Sequence, residues 1–216
     1  MSALLVFSKT TDYRHDSIPA GVAAVAKIGA DLGLAVDTTE DAGVFDREKL
    51  ARYAAVVFLS TSGTVFENDE QRAALESFVR GGGGFVGIHA ASTTEYEWPF
   101  YGELVGARFA GHPPVQRALV IVEDATHPAT AHLPETWPLV DEWYDFTDDP
   151  RLRVNVLLSV DESSYDGGGM GPGHPIAWHH KVGAGRCFYT AVGHPTEAYS
   201  DPSFLAHLAG GIRSVL

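Results

Sequence analysis

Two hydrophobic patterns alternate along the first ninety residues. Ala3-Leu4-Leu5-Val6-Phe7 is apolar without a break, as in a strand buried on both faces. After a polar loop, Val22, Val25, Ala26, Gly29 and Leu32 recur at helical spacing. Asp16 or Ser17 can cap that helix, Pro19 fits its first turn, and Gly33 stops it. A short strand over 35–39 and a short helix over 46–52 follow. Ala54 to Leu59 is a second continuous apolar run. Asn68 to Gln71 reads as a capping box before a helix carrying Leu75, Phe78 and Val79, and Gly81 to Gly84 ends it. The next strand runs from Gly84 to His89.

This β-α-β-α-β-α-β order predicts a parallel sheet covered by helices. In such sheets ligands bind beyond the carboxyl ends of the strands. The segments after Phe7, Leu59 and Ile88 are therefore the expected site. The second half predicts strands over 115–122, 154–160, 175–181 and 186–192, and a closing helix over 203–215 capped by Asp201 or Ser203. Ser164 to Gly173, rich in glycine, predicts a flexible excursion. No repeat and no linker divides the 216 residues, so a single domain over 1–216 is expected.

Composition narrows the function. The net charge of −13 disfavours nucleic acid and anionic membranes as partners. No run of 18 apolar residues is present, and the N-terminus reads as a first strand rather than a signal peptide, so a cytoplasmic location is expected. One cysteine stands against ten histidines. That excludes an internal disulfide and a Cys-rich zinc site. Cys187, inside a predicted strand, reads as a small buried residue.

Gly87-Ile88-His89-Ala90-Ala91 is the most informative segment. Small residues flank one functional side chain at a strand end, which is how a nucleophile elbow looks. The projected residue is His89, which can bind metal or move protons but is no ordinary acyl-transfer nucleophile. The plainer reading is a histidine that caps the next helix. His15, in Tyr13-Arg14-His15-Asp16, lies at the same sheet edge. His112 and His194 sit in Gly-His-Pro loops, with Glu197 three residues after His194. Asp141-Glu142 adds carboxylates among aromatics. Histidines and carboxylates converging there suit a divalent metal such as zinc or an acid/base site. His127, His132, His174 and His207 read as loop or surface residues, and His179-His180 point to opposite faces of a strand. Trp98, Phe100, Tyr101, Trp143, Tyr144 and Trp178 offer rings for sugar stacking, though each is more often core.

Five segments occur in order: Tyr-Arg-His-Asp-Ser-Ile (13–18), Gly-Ile-His-Ala-Ala (87–91), Gly-Ala-Arg-Phe-Ala-Gly-His-Pro (106–113), Asp-Glu-Trp-Tyr (141–144) and Gly-Arg-Cys-Phe-Tyr-Thr-Ala-Val-Gly-His (185–194). Together they resemble the ThuA-like family, named for a trehalose utilisation protein. The resemblance implies a class I glutamine-amidotransferase-like fold: an α/β, flavodoxin-like three-layer sandwich with a mostly parallel central sheet. Amidotransferases carry a cysteine at the elbow and a downstream His-Glu pair. Here His89, or Ala90 on a shifted alignment, takes the elbow, so glutaminase chemistry is not expected. The family implies a role in sugar metabolism, around disaccharides or their keto forms.

The resulting expectation is a hydrolase, lyase or isomerase of a small sugar or keto-sugar. His89, Glu142 and His194 would be catalytic. His15, His112, Trp98 and Tyr144 would bind substrate. His15, His89 and His194 would be metal ligands. Alternatives are a non-catalytic carbohydrate-binding or regulatory module and a relict amidotransferase subunit docking with a synthetase. Open sheet edges and loop aromatics allow a homo-oligomer.

Overall fold

The computed structural model describes residues 3–216. In chain order, β1 (Ala3–Phe7), α1 (Ile18–Asp31), β2 (Ala35–Thr39), the single turn α2 (Arg47–Leu50), β3 (Tyr53–Leu59), α3 (Asp69–Arg80) and β4 (Gly84–Ile88) make up the first part. Then follow α4 (Pro99–Val105), β5 (Phe109–Gly111), β6 (Gln116–Val122), β7 (Thr136–Asp141), β8 (Asp145–Phe146), β9 (Asn155–Asp161), β10 (His174–Val182), β11 (Gly185–Thr190) and α5 (Pro202–Val215).

The main sheet has nine strands in the order β2-β1-β3-β4-β11-β10-β9-β6-β7. β2, β1, β3, β4 and β11 pair in parallel. From β11 outward every pair is antiparallel. Only β10 and β6 thus run against the other seven, and the sheet is mostly parallel, as the sequence pattern predicts. Every residue of β1 and β4 is buried, so both faces of the sheet are covered. α1 packs on α5, and α2 on α3. Among the described residues no helix is long and apolar enough to cross a membrane.

Local signals act as expected at some ends and not at others. Asn68 caps α3, its carbonyl oxygen accepting from Gln71 N–H at 3.0 Å, while the Gln71 side chain accepts from Glu67 N–H at 2.8 Å. Asp201 caps α5 through Ser203 and Phe204 N–H. Ser17 precedes α1 but makes no side-chain cap; its hydroxyl donates to the Gly193 carbonyl at 3.3 Å, tying the first loop to the last.

Four elements lie outside the sequence expectations: α4, β5, β7 and β8. β7 matters most, because it carries Asp141. Pro138 at its centre argues against a strand, but β7 is the sheet edge, where a missing N–H costs no ladder bond. The Ser164–Gly173 excursion is tied down by Met170 N–H to Glu162, Gly169 N–H to Asp145 and Asp166 N–H to Gln116.

Candidate active site

Three non-glycine residues among those described adopt left-handed backbone: Ser60 (φ 45°), His89 (φ 51°) and Glu95 (φ 49°). Ser60 follows β3, and His89 and Glu95 follow β4. Such strain gathers where a fold holds functional groups in place. The elbow is therefore real, and His89, not Ala90, is the strained residue. Gly87 just before it leaves room for the Tyr189 ring.

His89 is fully buried. Its Nδ1–H donates to the Ala191 carbonyl at 2.6 Å. That bond fixes the tautomer and leaves a lone pair on Nε2. The Tyr144 hydroxyl donates to Nε2 at 2.9 Å, and His15 Nε2 stands 3.1 Å away. Glu142 Oε2 lies 3.5 Å from His89 Nε2 and 3.1 Å from His194 Nδ1. The second contact is angled too poorly to satisfy Nδ1, which has no hydrogen bond, and neither has the buried Nδ1 of His15. Glu142 Oε1 is 3.1 Å from His112 Nδ1.

Four elements of distant sequence thus meet: the β1–α1 loop with His15, the β4 elbow with His89, the end of β7 with Glu142, and the loop after β11 with His194. One ligand atom from each of these four lies within 4.8 Å of the others. Asp141 organises two of the four. Its carboxylate, fully buried, accepts from Glu142 N–H at 2.8 Å, Gly193 N–H at 2.9 Å and His194 N–H at 3.1 Å. Gly193 must be glycine: its φ is 128°, and a Cβ there would meet the Tyr199 hydroxyl at 2.9 Å.

The electrostatics divide the cluster. Burial, reinforced by neighbouring His89 and His194, lowers the His15 pKa to about 3, so its ring is neutral. Burial works to raise Glu142, but the close approach of His194 and His89 outweighs it and holds the carboxyl well below its usual range. The Glu142 carboxylate, 3.1 Å away, raises His194 in turn, against its own desolvation. Burial, with Tyr189, Glu142 and Asp141 nearby, pushes the Tyr144 phenol well above its ordinary value, so it stays a donor. Burial also raises Asp141 against its hydrogen bonds.

The cluster opens into a cavity of about 420 Å³. His15, Glu142 and His194 line it, with Tyr13, Tyr96 and Phe109 among its walls. His89 does not line it. A substrate meets this histidine only through the groups it holds. Trp98 is outside too: it lines a separate cleft and packs on Phe66 and Phe100, because it opens α4 against the core. Phe100, Tyr101, Trp143 and Trp178 are buried core. Of the six rings considered from the sequence, only Tyr144 reaches the cavity. Tyr13 and Phe109 stand inside the 13–18 and 106–113 motifs without being singled out there, and Tyr96, in the loop after β4, lies in none of the motifs. Glu197 is exposed, and the carboxylate beside His194 is Glu142.

Two histidines expected at the surface are buried. His174 Nε2–H donates to the Tyr144 carbonyl at 2.8 Å, and its Nδ1 lies 2.9 Å from Glu162 Oε1. With Asp145 these form a second, partnered His/carboxylate group behind Tyr144. His207 lies on the buried face of α5. Cys187 is buried as expected, and burial pushes its thiol up to about 12.

The family model described as ThuA, trehalose utilisation, matches residues 3–214. The chain belongs to the ThuA family. A ThuA-like protein from Bacteroides uniformis is 26% identical, covers 98% of this chain and 90% of its own, and superposes with a TM-score of 0.82. One from Parabacteroides merdae is 18% identical over 100% of this chain and 90% of its own, with a TM-score of 0.79. A β-galactosidase from Rahnella shares the fold alone, at 14% identity and a TM-score of 0.62 over 99% of this chain and 31% of the enzyme. No curated protein matches. The α/β sandwich of this ThuA-family chain is consistent with an amidotransferase-like origin, and its elbow presents an imidazole in place of a thiol.

Proposed function

We propose that this ThuA-family chain is an enzyme acting on a disaccharide or keto-sugar, as a hydrolase, lyase or isomerase, through His15, His89, Glu142 and His194. The observation that carries this reading is the convergence of those four side chains at the carboxyl edge of the parallel strands, three of them lining a cavity and His89 buried directly behind them. Glutaminase activity is absent from the reading, because the elbow offers no thiol and Cys187 is buried in β11.

The donor set suits a divalent cation such as zinc. Two ligands 2.0–2.1 Å from a tetrahedral zinc are roughly 3.3 Å apart. The His15–His89, His89–Glu142 and Glu142–His194 separations of 3.1, 3.5 and 3.1 Å bracket that spacing. His89 also has the backing expected of a ligand, its far nitrogen donating to a backbone carbonyl. His15, His89 and His194 would hold the ion. Bound there, it would supply a Lewis acid toward a substrate carbonyl.

The chain's own groups do the rest. Glu142 is an anion through the neutral range and takes the proton, from a carbon beside the carbonyl or from an attacking water. The Tyr144 hydroxyl, once the His89 Nε2 lone pair it engages is taken up by an ion, is free to donate to substrate, and His112 at the rim meets sugar hydroxyls. The same reading gives a small-molecule sugar as partner, neither nucleic acid nor membrane, and the cytoplasm as location. β2 and β7 remain open edges through which copies could pair.

The test is metal analysis together with turnover of keto-disaccharides by wild type and Glu142→Gln. The expected result is near one divalent ion per chain and a loss of about a hundredfold or more in kcat/KM in the variant. Equal turnover by both proteins would remove Glu142 from the chemistry. Binding of sugars with no turnover of any would favour a non-catalytic module.

A further inference from the structure

The cavity has an outer half that the cluster does not explain. Tyr13 is 63% exposed and Tyr96 47% exposed, two of only six large apolar side chains left open to solvent among the described residues. Both stand at this one mouth. Neither is loosely held. The loops after β1, β3 and β4 are tied to one another: Thr11 N–H donates to Ser62 O at 2.9 Å, and the Ser62 hydroxyl to Tyr13 O at 2.6 Å. Gly63 N–H donates to Thr93 O at 3.1 Å, and Glu95 N–H to Gly63 O at 3.0 Å.

The backing of Tyr96 is costlier. The preceding residue, Glu95, combines left-handed backbone with a buried carboxylate. That carboxylate accepts from Val65 N–H at 2.8 Å, Phe66 N–H at 3.0 Å and Arg72 Nε–H at 2.9 Å. Arg108 then donates to the carbonyls of Thr94, Glu95, Tyr96 and Trp98. The guanidinium lies 5.4 Å from the Tyr96 ring centroid, and the Tyr96 hydroxyl donates to Phe109 O at 2.8 Å. Backbone strain, a buried ion pair and an arginine clamp converge on one ring that packs into no core. Strain of this kind is maintained where a ligand is gripped.

We propose that Tyr13 and Tyr96 form an outer subsite that stacks on the second, uncharged sugar ring of a disaccharide whose first unit reaches the His/Glu cluster. The inference rests on the sugar reading above. Aromatic faces suit the C–H faces of a pyranose, and the cavity of about 420 Å³ exceeds what one hexose fills. The only formal charges among the lining residues besides histidine are Asp12 and Glu142, both negative, with no lysine or arginine. A phosphorylated ring would find repulsion there and no cation donor.

The test is calorimetric titration of the metal-loaded protein with neutral disaccharides, trehalose among them, and their keto forms. Each is paired with the methyl glycoside of its component monosaccharide and with a phosphorylated counterpart. Wild type should bind at least one disaccharide about tenfold or more tightly than its monosaccharide. Tyr96→Ala and Tyr13→Ala should each cut that ratio several-fold, and Tyr96→Phe should keep most of it. Both sites are exposed, so folding is kept, and an unchanged melting temperature verifies it. Monosaccharides that bind as well as disaccharides, or a phosphorylated ring that binds better than the neutral one, would overturn the subsite and leave the sugar reading standing. No binding by any sugar would overturn both.

Discussion

His89 and His207 are alike in residue type, burial and first hydrogen bond. Both are fully buried. Each presents Nδ1 to a backbone carbonyl, His89 to Ala191 at 2.6 Å and His207 to Ala129 at 2.8 Å. They differ at the other nitrogen. Around His89 Nε2 stand Tyr144, His15 and Glu142. Around His207 are Phe188, Phe204 and Trp137, and its Nε2 has no partner. Burial of a histidine is thus no sign of chemistry. What the second nitrogen faces decides whether the ring is a functional group or a core side chain that happens to be polar.

The largest expected effect is a crossing pattern in two variants. His89→Ala should lower kcat/KM on a keto-disaccharide about a thousandfold and abolish stoichiometric metal binding. His207→Leu should leave turnover within about twofold. It should destabilise the fold by about 1–3 kcal/mol in denaturant melts, because the Ala129 carbonyl loses its donor. Loss of activity in both would mean that the two histidines do not play different parts.

The second effect is on stability against pH. Burial, only partly offset by the bond to Ala129, lowers the His207 pKa from 6.5 to about 4. Above pH 6.5 the ring is neutral folded and unfolded, and contributes no pH dependence. As pH falls below 6.5 the unfolded chain takes up a proton that the folded chain refuses, so stability drops until about pH 4. The loss is on the order of 3 kcal/mol. Other buried histidines add to it, so the measurement is the difference between wild type and His207→Leu in melts from pH 7 to 4. Parallel curves would show that His207 does not titrate differently on unfolding.

A smaller effect separates positioning from chemistry. Asp141 touches no reacting group, yet it holds the backbone of both Glu142 and His194. Asp141→Asn keeps one acceptor oxygen and puts an NH₂ against N–H groups. The expected result is about a tenfold loss of metal affinity with a matching fall in kcat/KM, as for other groups behind a metal ligand. An unchanged metal affinity would leave Asp141 as a purely structural residue.

How much of this was legible follows the same division. β1, β3 and β4 were readable because a strand buried on both faces must be apolar throughout. The loops after β1 and β4 followed from the parallel sheet, and they hold His15 and His89. β7 is not readable, because Pro138 stands at its centre, apolar Val140 faces outward and the buried face ends on Asp141, which blurs the alternation, although the Asp-Glu pair at its end is visible. Nothing in the sequence separates His174 and His207 from surface histidines, because imidazole is at home in water and in a core, and only tertiary contacts decide between them. The rings failed for the opposite reason. Core and sugar platform look alike in sequence, so nothing in it separates Trp98, which packs against the core, from Tyr13 and Tyr96, which face the cavity.

The smallest expected effect concerns Glu197. By resemblance to amidotransferases, a glutamate downstream of His194 would be its partner. Glu197 instead is exposed on the 3₁₀ turn Thr196–Ser200, while Glu142 comes to 3.1 Å of the His194 ring. An exposed carboxylate without a buried contact contributes little, so Glu197→Gln should leave kcat/KM and metal content within about twofold of wild type. The contrast with Glu142→Gln is what matters. If Glu197→Gln instead costs more than tenfold, His194 draws on a carboxylate from its own loop. Glu142 would then belong to His112 and His89, and the cluster would need to be redrawn around a different pair.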